Sequence, residues 1–179
     1  DNRWVGYLNN GWHMCGQSNT YSVSTDTIHW SKRTIGNSYD NETMSYHPGK
    51  GIYLVFKQNA YYDNDNVGHG IYASTDSINW VARTSDFGGR QVNYQFYASE
   101  YVPSIQTVVA CGSYVSAVSS TDTIHWSYSR THPTENGSEE NYDIATDDSE
   151  KVLITGRYSV MLRESALKSY AVSGGGGGP

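Results

Sequence analysis

No run of apolar residues in this chain approaches the roughly 20 that a helix needs to cross a bilayer. No basic segment followed by an apolar one stands near Asp1, so neither membrane insertion nor a secretory leader is expected. The opening at Asp1 without a Met suits a processed product, an expressed fragment or a window of a longer polypeptide alike. Basic charge is also scarce. Twelve Lys and Arg against 18 Asp and Glu leave a formal charge of −6, which argues against a sequence-blind binder of nucleic acid or of anionic membranes, since these need a basic face to displace counterions. The good helix formers Leu, Ala, Lys and Glu are sparse. Tyr, Ser, Thr, Val, Asn and Gly dominate instead, the usage of short strands joined by tight turns, so all-β is the expected class.

What is present is a repeat. Ser24-Thr-Asp-Thr-Ile-His-Trp30 returns as Ser74-Thr-Asp-Ser-Ile-Asn-Trp80 and as Ser120-Thr-Asp-Thr-Ile-His-Trp126. Asp26 and Asp76 stand 50 positions apart and Asp76 and Asp122 stand 46 apart, a period that belongs to arrays, solenoids or propellers with one supersecondary unit per repeat. In each copy the Asp is expected to accept hydrogen bonds from backbone N–H groups a few positions on and so close a turn. The Trp then opens the outgoing strand and buries its ring against a neighbouring unit. The two cysteines, Cys15 and Cys111, each lie eleven residues before a heptapeptide Asp. They fill the same slot of two non-adjacent units and are read as small buried core residues rather than as a disulfide.

Taken in order, strand material around Trp4 to Tyr7 leads into Asn9-Asn-Gly11, a hairpin-type turn. A second unit carries the dense apolar strand Ile52-Tyr-Leu-Val-Phe56 and an insertion from Asn59 to Gly70 that accounts for the longer first spacing. Thr107-Val-Val-Ala-Cys-Gly112 is the counterpart strand of the third unit, and Lys151-Val-Leu-Ile-Thr-Gly156 that of a degenerate fourth, in which the heptapeptide is replaced by Arg163-Glu-Ser-Ala-Leu-Lys168. The expected architecture is a β-propeller-like array of about four four-stranded blades, at about 1–36, 37–86, 87–133 and 134–173, with 174–179 as a glycine-rich tail or linker. A β-sandwich is the runner-up.

Repetition also decides the chemistry. A catalytic group is needed once per site and a turn-closing group once per blade, so Ser24, Asp26, Trp30, Ser74, Asp76, Trp80, Ser120, Asp122 and Trp126 are read as turn and core residues. Arg33, Arg83 and Arg130 recur in the same way and should be distributed around the fold. His29 and His125 share their slot with Asn79, so imidazole is not required there. Asp63-Asn-Asp-Asn-Val-Gly68 lacks the closing Glu of a calcium loop and reads as a polar hairpin loop. No catalytic residue, metal or cofactor is expected. Sixteen Tyr and five Trp against three Phe do stand out, because rings with a polar handle suit surfaces that stack on sugars or meet other proteins. Tyr61, Tyr62, Asp63, Tyr94 and Tyr97 are the candidate contact residues.

The heptapeptides resemble the Asp-box repeat of bacterial neuraminidases, and more closely the shorter form Ser-Thr-Asp-Gly-x-x-Trp of propeller modules in bacterial surface proteins and bacteriophage tail proteins. Ser24, Asp26 and Trp30 carry the match, as do their counterparts in the two later copies. Thr27, Ser77 and Thr123 replace the glycine, and the step from Asp to Trp is one residue shorter than in sialidases, which counts against sialidase activity. The resemblance implies a non-enzymatic attachment module, extracellular or on a virion, with other virion or surface proteins and a cell-surface glycan as partners. A sialidase-like glycoside hydrolase is the alternative.

Overall fold

The computed structural model of the chain describes residues 1–36, 39–57, 70–83, 95–113, 117–129, 141–147, 151–156 and 160–163. Its strands form four antiparallel sheets, each a meander. The first holds β1 (Asn2–Leu8), β2 (Gly11–Gly16), β3 (Thr20–Ser24) and β4 (Ser31–Thr34). The second holds β5 (Asn41–His47), β6 (Ile52–Lys57), β7 (Ile71–Ser74) and β8 (Val81–Arg83). The third holds β9 (Gln95–Val102), β10 (Thr107–Ser113), β11 (Ala117–Ser120) and β12 (Ser127–Ser129). In the fourth, the described strands are β13 (Asn141–Thr146), β14 (Lys151–Gly156) and β15 (Val160–Arg163). The first strands of successive sheets lie side by side, β1 by β5, β5 by β9 and β9 by β13. The chain is thus an all-β, propeller-like fold with one sheet per sequence unit.

The core lies between sheets. Cys15 and Tyr21 of the first sheet pack on Met44, Val55 and Tyr72 of the second. Leu54, Phe56 and Ile71 on the opposite face of the second sheet meet Phe96, Val108, Ala110 and Trp126 of the third. Val109, Cys111 and Ala117 then meet Ile144, Val152 and Ile154 of the fourth. Alternation along each second strand sends one row of side chains to the preceding sheet and the other to the following one. Neither cysteine is in a disulfide, and both are buried. Burial first, then the Glu42 charge, pushes the Cys15 thiol far above its usual range, and burial pushes Cys111 up to about 12. Neither is a nucleophile at neutral pH.

Each heptapeptide joins the third and fourth strands of its sheet. The residue after its Asp adopts a left-handed backbone, with φ of 66° at Thr27, 57° at Ser77 and 65° at Thr123, where a β-branched side chain is strained by about 1–2 kcal/mol. Thr27 is exposed. Thr27→Gly is therefore expected to raise the unfolding free energy by about 0.5–1 kcal/mol in urea titration, after the added chain entropy of glycine is set against the relief. A loss instead would show that the bond from the Thr27 hydroxyl to the Asp26 carbonyl outweighs the strain.

Candidate ligand-binding cleft

The heptapeptide side chains are taken up by their own loops. Asp26 Oδ1 accepts from the N–H of Ile28 at 2.9 Å and of His29 at 2.8 Å, and from Ser24 Oγ at 3.0 Å. Asp76 repeats this with Ile78, Asn79 and Ser74 at 2.8, 2.7 and 2.9 Å, and Asp122 with Ile124, His125 and Ser120 at 2.8, 2.7 and 3.1 Å. The second carboxylate oxygen meets Nδ1 of His29 at 2.7 Å and of His125 at 2.6 Å, and accepts from Asn79 Nδ2 at 2.8 Å. An Asn amide can thus do the work of the imidazole. The His29 side chain, then the N–H groups of His29 and Ile28, hold Asp26 far below the usual carboxylate range. The N–H groups of Asn79 and Ile78 lead in doing so at Asp76. Burial works to raise Asp122, but the bonds from His125 and Ile124 outweigh it and hold the carboxyl at about 2. Such groups are anions fixed in turns, unsuited to proton transfer at neutral pH.

The two repeated arginines among the described residues lie on different sheets. Arg33 lies on β4 and donates to the Ser77 carbonyl of the next sheet's loop at 3.1 Å, while Arg83 lies on β8 and Arg130 is outside the described residues. Arg3 is bound to Asp40 at 3.1 Å and lies 3.3 Å from Glu42. Among the described residues no group of three His, Cys, Asp or Glu is placed to hold a metal ion.

The feature that does converge is a cleft of about 340 Å³ where the ends of β1, β5 and β9 come together. The first sheet supplies Trp4, Tyr7, Leu8 and Asn9, the second Met44, Ser45, Tyr46 and Pro48, and the third Ser99, Glu100, Tyr101 and Pro103. Register explains the aromatic content. Tyr7 pairs with Trp12, Tyr46 with Tyr53 and Tyr101 with Val108, so the three tyrosines occupy one slot of three blades. Thr146, paired with Val152, holds that slot in the fourth.

Each wall of the cleft is braced. A Cβ on Gly6 would lie 2.5 Å from Trp4 Cζ2, so glycine at position 6 is what lets the indole lie flat along its own strand. Asn9 and Asn10, with φ of 45° and 65°, make the tight turn between β1 and β2. Asn9 Nδ2 donates to the Tyr53 hydroxyl at 2.9 Å, and the Tyr53 ring lies 4.7 Å from that of Tyr46. The Tyr101 ring lies 4.8 Å from the ring of His47. Below them, Ser45 Oγ donates to Ser99 Oγ at 2.6 Å, and Thr43 shares a hydroxyl contact with Ser99 at 3.0 Å. Glu100 is exposed, the one carboxylate among the described lining residues. Aromatic faces, an amide and a single acceptor carboxylate around an open cleft can stack on a ring and accept hydrogen bonds from hydroxyls.

Of the contact residues expected from sequence, Tyr61, Tyr62, Asp63 and Tyr94 lie outside the described residues. Tyr97 stands on β9 away from the cleft lining, donates to Gln95 Oε1 at 2.8 Å and packs 5.8 Å from the ring of Tyr142. The cleft tyrosines escaped the sequence because the first and second strands are joined by loops of different length, through Asn9 and Asn10 in one sheet and through Pro103 to Gln106 in another. A search aligned on the second strands would have found them.

No family model matches the chain, and no curated protein matches it either. Solved structures do share its fold. One is described as YCF48 bound to D1 peptide, with a TM-score of 0.52 at 11% identity over 94% of this chain. Another is a GH43 glycoside hydrolase engineered for endo-xylanase and exo-arabinofuranosidase activity, with a TM-score of 0.50 at 12% identity over 93%. Both are β-propellers. The chain spans 54% and 39% of their lengths.

Proposed function

We propose that this chain is a non-enzymatic carbohydrate-binding propeller module, and that Trp4, Tyr46 and Tyr101 are the stacking surfaces of its cleft. The observation that carries the proposal is the convergence of Trp4, Tyr46 and Tyr101 with Glu100 on one cleft. Hydrolysis of a glycosidic bond in the common mechanism takes two carboxyl groups about 5–9.5 Å apart, whereas the described lining carries one. The Asp-box-like heptapeptides support a place among the attachment modules of bacteriophage tails or bacterial surfaces, where the ligand would be a host-surface glycan and the neighbours other virion or surface proteins.

A glycan array followed by calorimetry on the best binder tests this. Tyr46→Ala and Tyr101→Ala are each expected to weaken binding about tenfold, in keeping with about 1–1.5 kcal/mol for one stacked ring. Release of sugar from a sialyl or arabinofuranosyl reporter, abolished by Glu100→Gln, would overturn the non-enzymatic assignment.

A further inference from the structure

The first sheet turns one face to the second sheet and leaves the other open. On the open face Val5, Tyr7 and Trp12 are 60%, 56% and 37% exposed. Val5 pairs with Met14 and Tyr7 with Trp12, and the rings of Tyr7 and Trp12 meet edge to face at 5.4 Å. Everywhere else in the chain these slots are interface. The counterparts of Trp12 are Tyr53, Val108 and Val152, and those of Met14 are Val55, Ala110 and Ile154, all buried. The counterparts of Trp30 behave likewise. Trp80 sits against Tyr21 of the sheet before it at 5.6 Å, and Trp126 against Phe56 at 5.6 Å. Trp30 meets no ring of another described sheet and donates to its own Thr27 carbonyl at 3.0 Å. The opposite end of the array leaves the complementary half uncovered. Leu153 holds the slot of Leu54 and Val109, both 0% exposed, yet is itself 38% exposed, with the exposed Ala145 paired beside it.

We propose that copies of this chain associate head to tail, the Leu153 and Ala145 face of one copy's fourth sheet seating on the Val5, Trp12, Met14 and Trp30 face of the next copy's first sheet. The occupant is a second copy because both halves are on one chain and because the junction would repeat the contact made three times within it. The two faces are complementary, the first offering large rings and the fourth small aliphatic side chains, whereas pairing two open first sheets would leave the Leu153 and Ala145 face uncovered. Such an interface is heterologous, and it either closes into a ring or propagates.

Sedimentation equilibrium of the 179-residue chain from sub-micromolar to hundreds of micromolar tests the proposal. A mass of at least twice the single chain is expected at the upper end. Met14→Lys and Leu153→Asp should each leave a single chain, with near-ultraviolet circular dichroism unchanged because Leu153 is exposed and Met14 is only partly buried on the open face. Mixed together, the two variants keep one good half each and should form a one-to-one pair. Val5→Lys and Ala145→Asp repeat the test if either first variant misfolds. A wild-type chain that stays single throughout, a Leu153→Asp variant that associates normally, or a mixture that forms no pair would overturn the proposal. Glycan binding at the cleft by the single-chain variants is read separately and does not depend on the outcome.

Discussion

Gly112→Ala is expected to prevent the third sheet from forming in its native register and to cost at least about 3 kcal/mol of unfolding free energy, among the largest losses any single methyl group could cause here. The added Cβ would lie 1.6 Å from the Gln95 carbonyl oxygen, 2.6 Å from its carbon and 2.8 Å from Phe96 Cα. All three are backbone atoms of β9, so no rotamer change relieves the clash. The contact exists because the pairing of β9 with β10 shifts register between Cys111 and Gly112, which pushes the Gln95 peptide towards the facing strand. Circular dichroism and chemical unfolding of the variant give the answer directly. Gly49→Ala is the control, because its new Cβ meets nothing closer than His47 Cε1 at 3.4 Å and should change stability by less than about 0.5 kcal/mol. Gly16 fills the Gly112 slot of the first sheet, and a Cβ there would lie 2.2 Å from the Asp1 carbonyl oxygen. Its neighbours there are again backbone atoms, and the Asp1 carbonyl is held by the Gln17 N–H at 3.0 Å, so Gly16→Ala should also destabilise, though less than Gly112→Ala, where the overlap is deeper. Near-native stability in Gly112→Ala would mean that β9 can slide, and the packing of Phe96 on Phe56, 5.3 Å between ring centres, would then have to be far looser than described.

That glycine slot shows how much the sequence could disclose. Cys15-Gly16 and Cys111-Gly112 were legible as one position because the distance from there to the heptapeptide is the same in both units. Lys57, at the corresponding place opposite Asn41, was not. It keeps its ammonium buried by donating to the carbonyls of Ile35 at 2.6 Å and Tyr39 at 3.2 Å, and burial lowers its pKa to about 8. A side chain that turns back into the junction between two sheets leaves no trace in local pattern. The heptapeptides, the Asn9 to Gly11 turn and the number of units could be read because each rests on contacts within a few residues. The cleft could not, since it is made where β1, β5 and β9 meet, and the three groups of residues that line it are more than 30 positions apart in sequence. Tyr97, chosen from an aromatic cluster in sequence, lies outside the cleft lining with its ring 5.8 Å from that of Tyr142 of the next sheet, a neighbour that local pattern does not disclose.

The three tryptophans of the repeat should not be worth the same, although their local sequences nearly coincide. Trp126→Ala is expected to cost about 3–5 kcal/mol, the range for a large ring removed from a core. Trp126 is 7% exposed and stands at 90° to the Phe56 ring, among Leu54, Ile71, Phe96 and Val118. Trp80, half-buried against Tyr21, should fall between. Trp30→Ala should cost no more than about 1 kcal/mol, because its ring, partly buried like that of Trp80, packs on none of the core clusters between the described sheets and loses chiefly its bond to the Thr27 carbonyl. The comparison is to be made by urea unfolding at sub-micromolar protein, where copies are apart. Repeating it at high concentration then adds a second reading, since an association that covers the first sheet would raise the cost of Trp30→Ala towards that of Trp80→Ala. If all three substitutions cost alike in dilute solution, the tryptophans stabilise their own turns and not the junctions between sheets. The order Trp126, Trp80, Trp30 is what a directional stack requires, in which each of the second and third sheets leans its tryptophan on the sheet before it, while Trp30 leans on none of the described sheets.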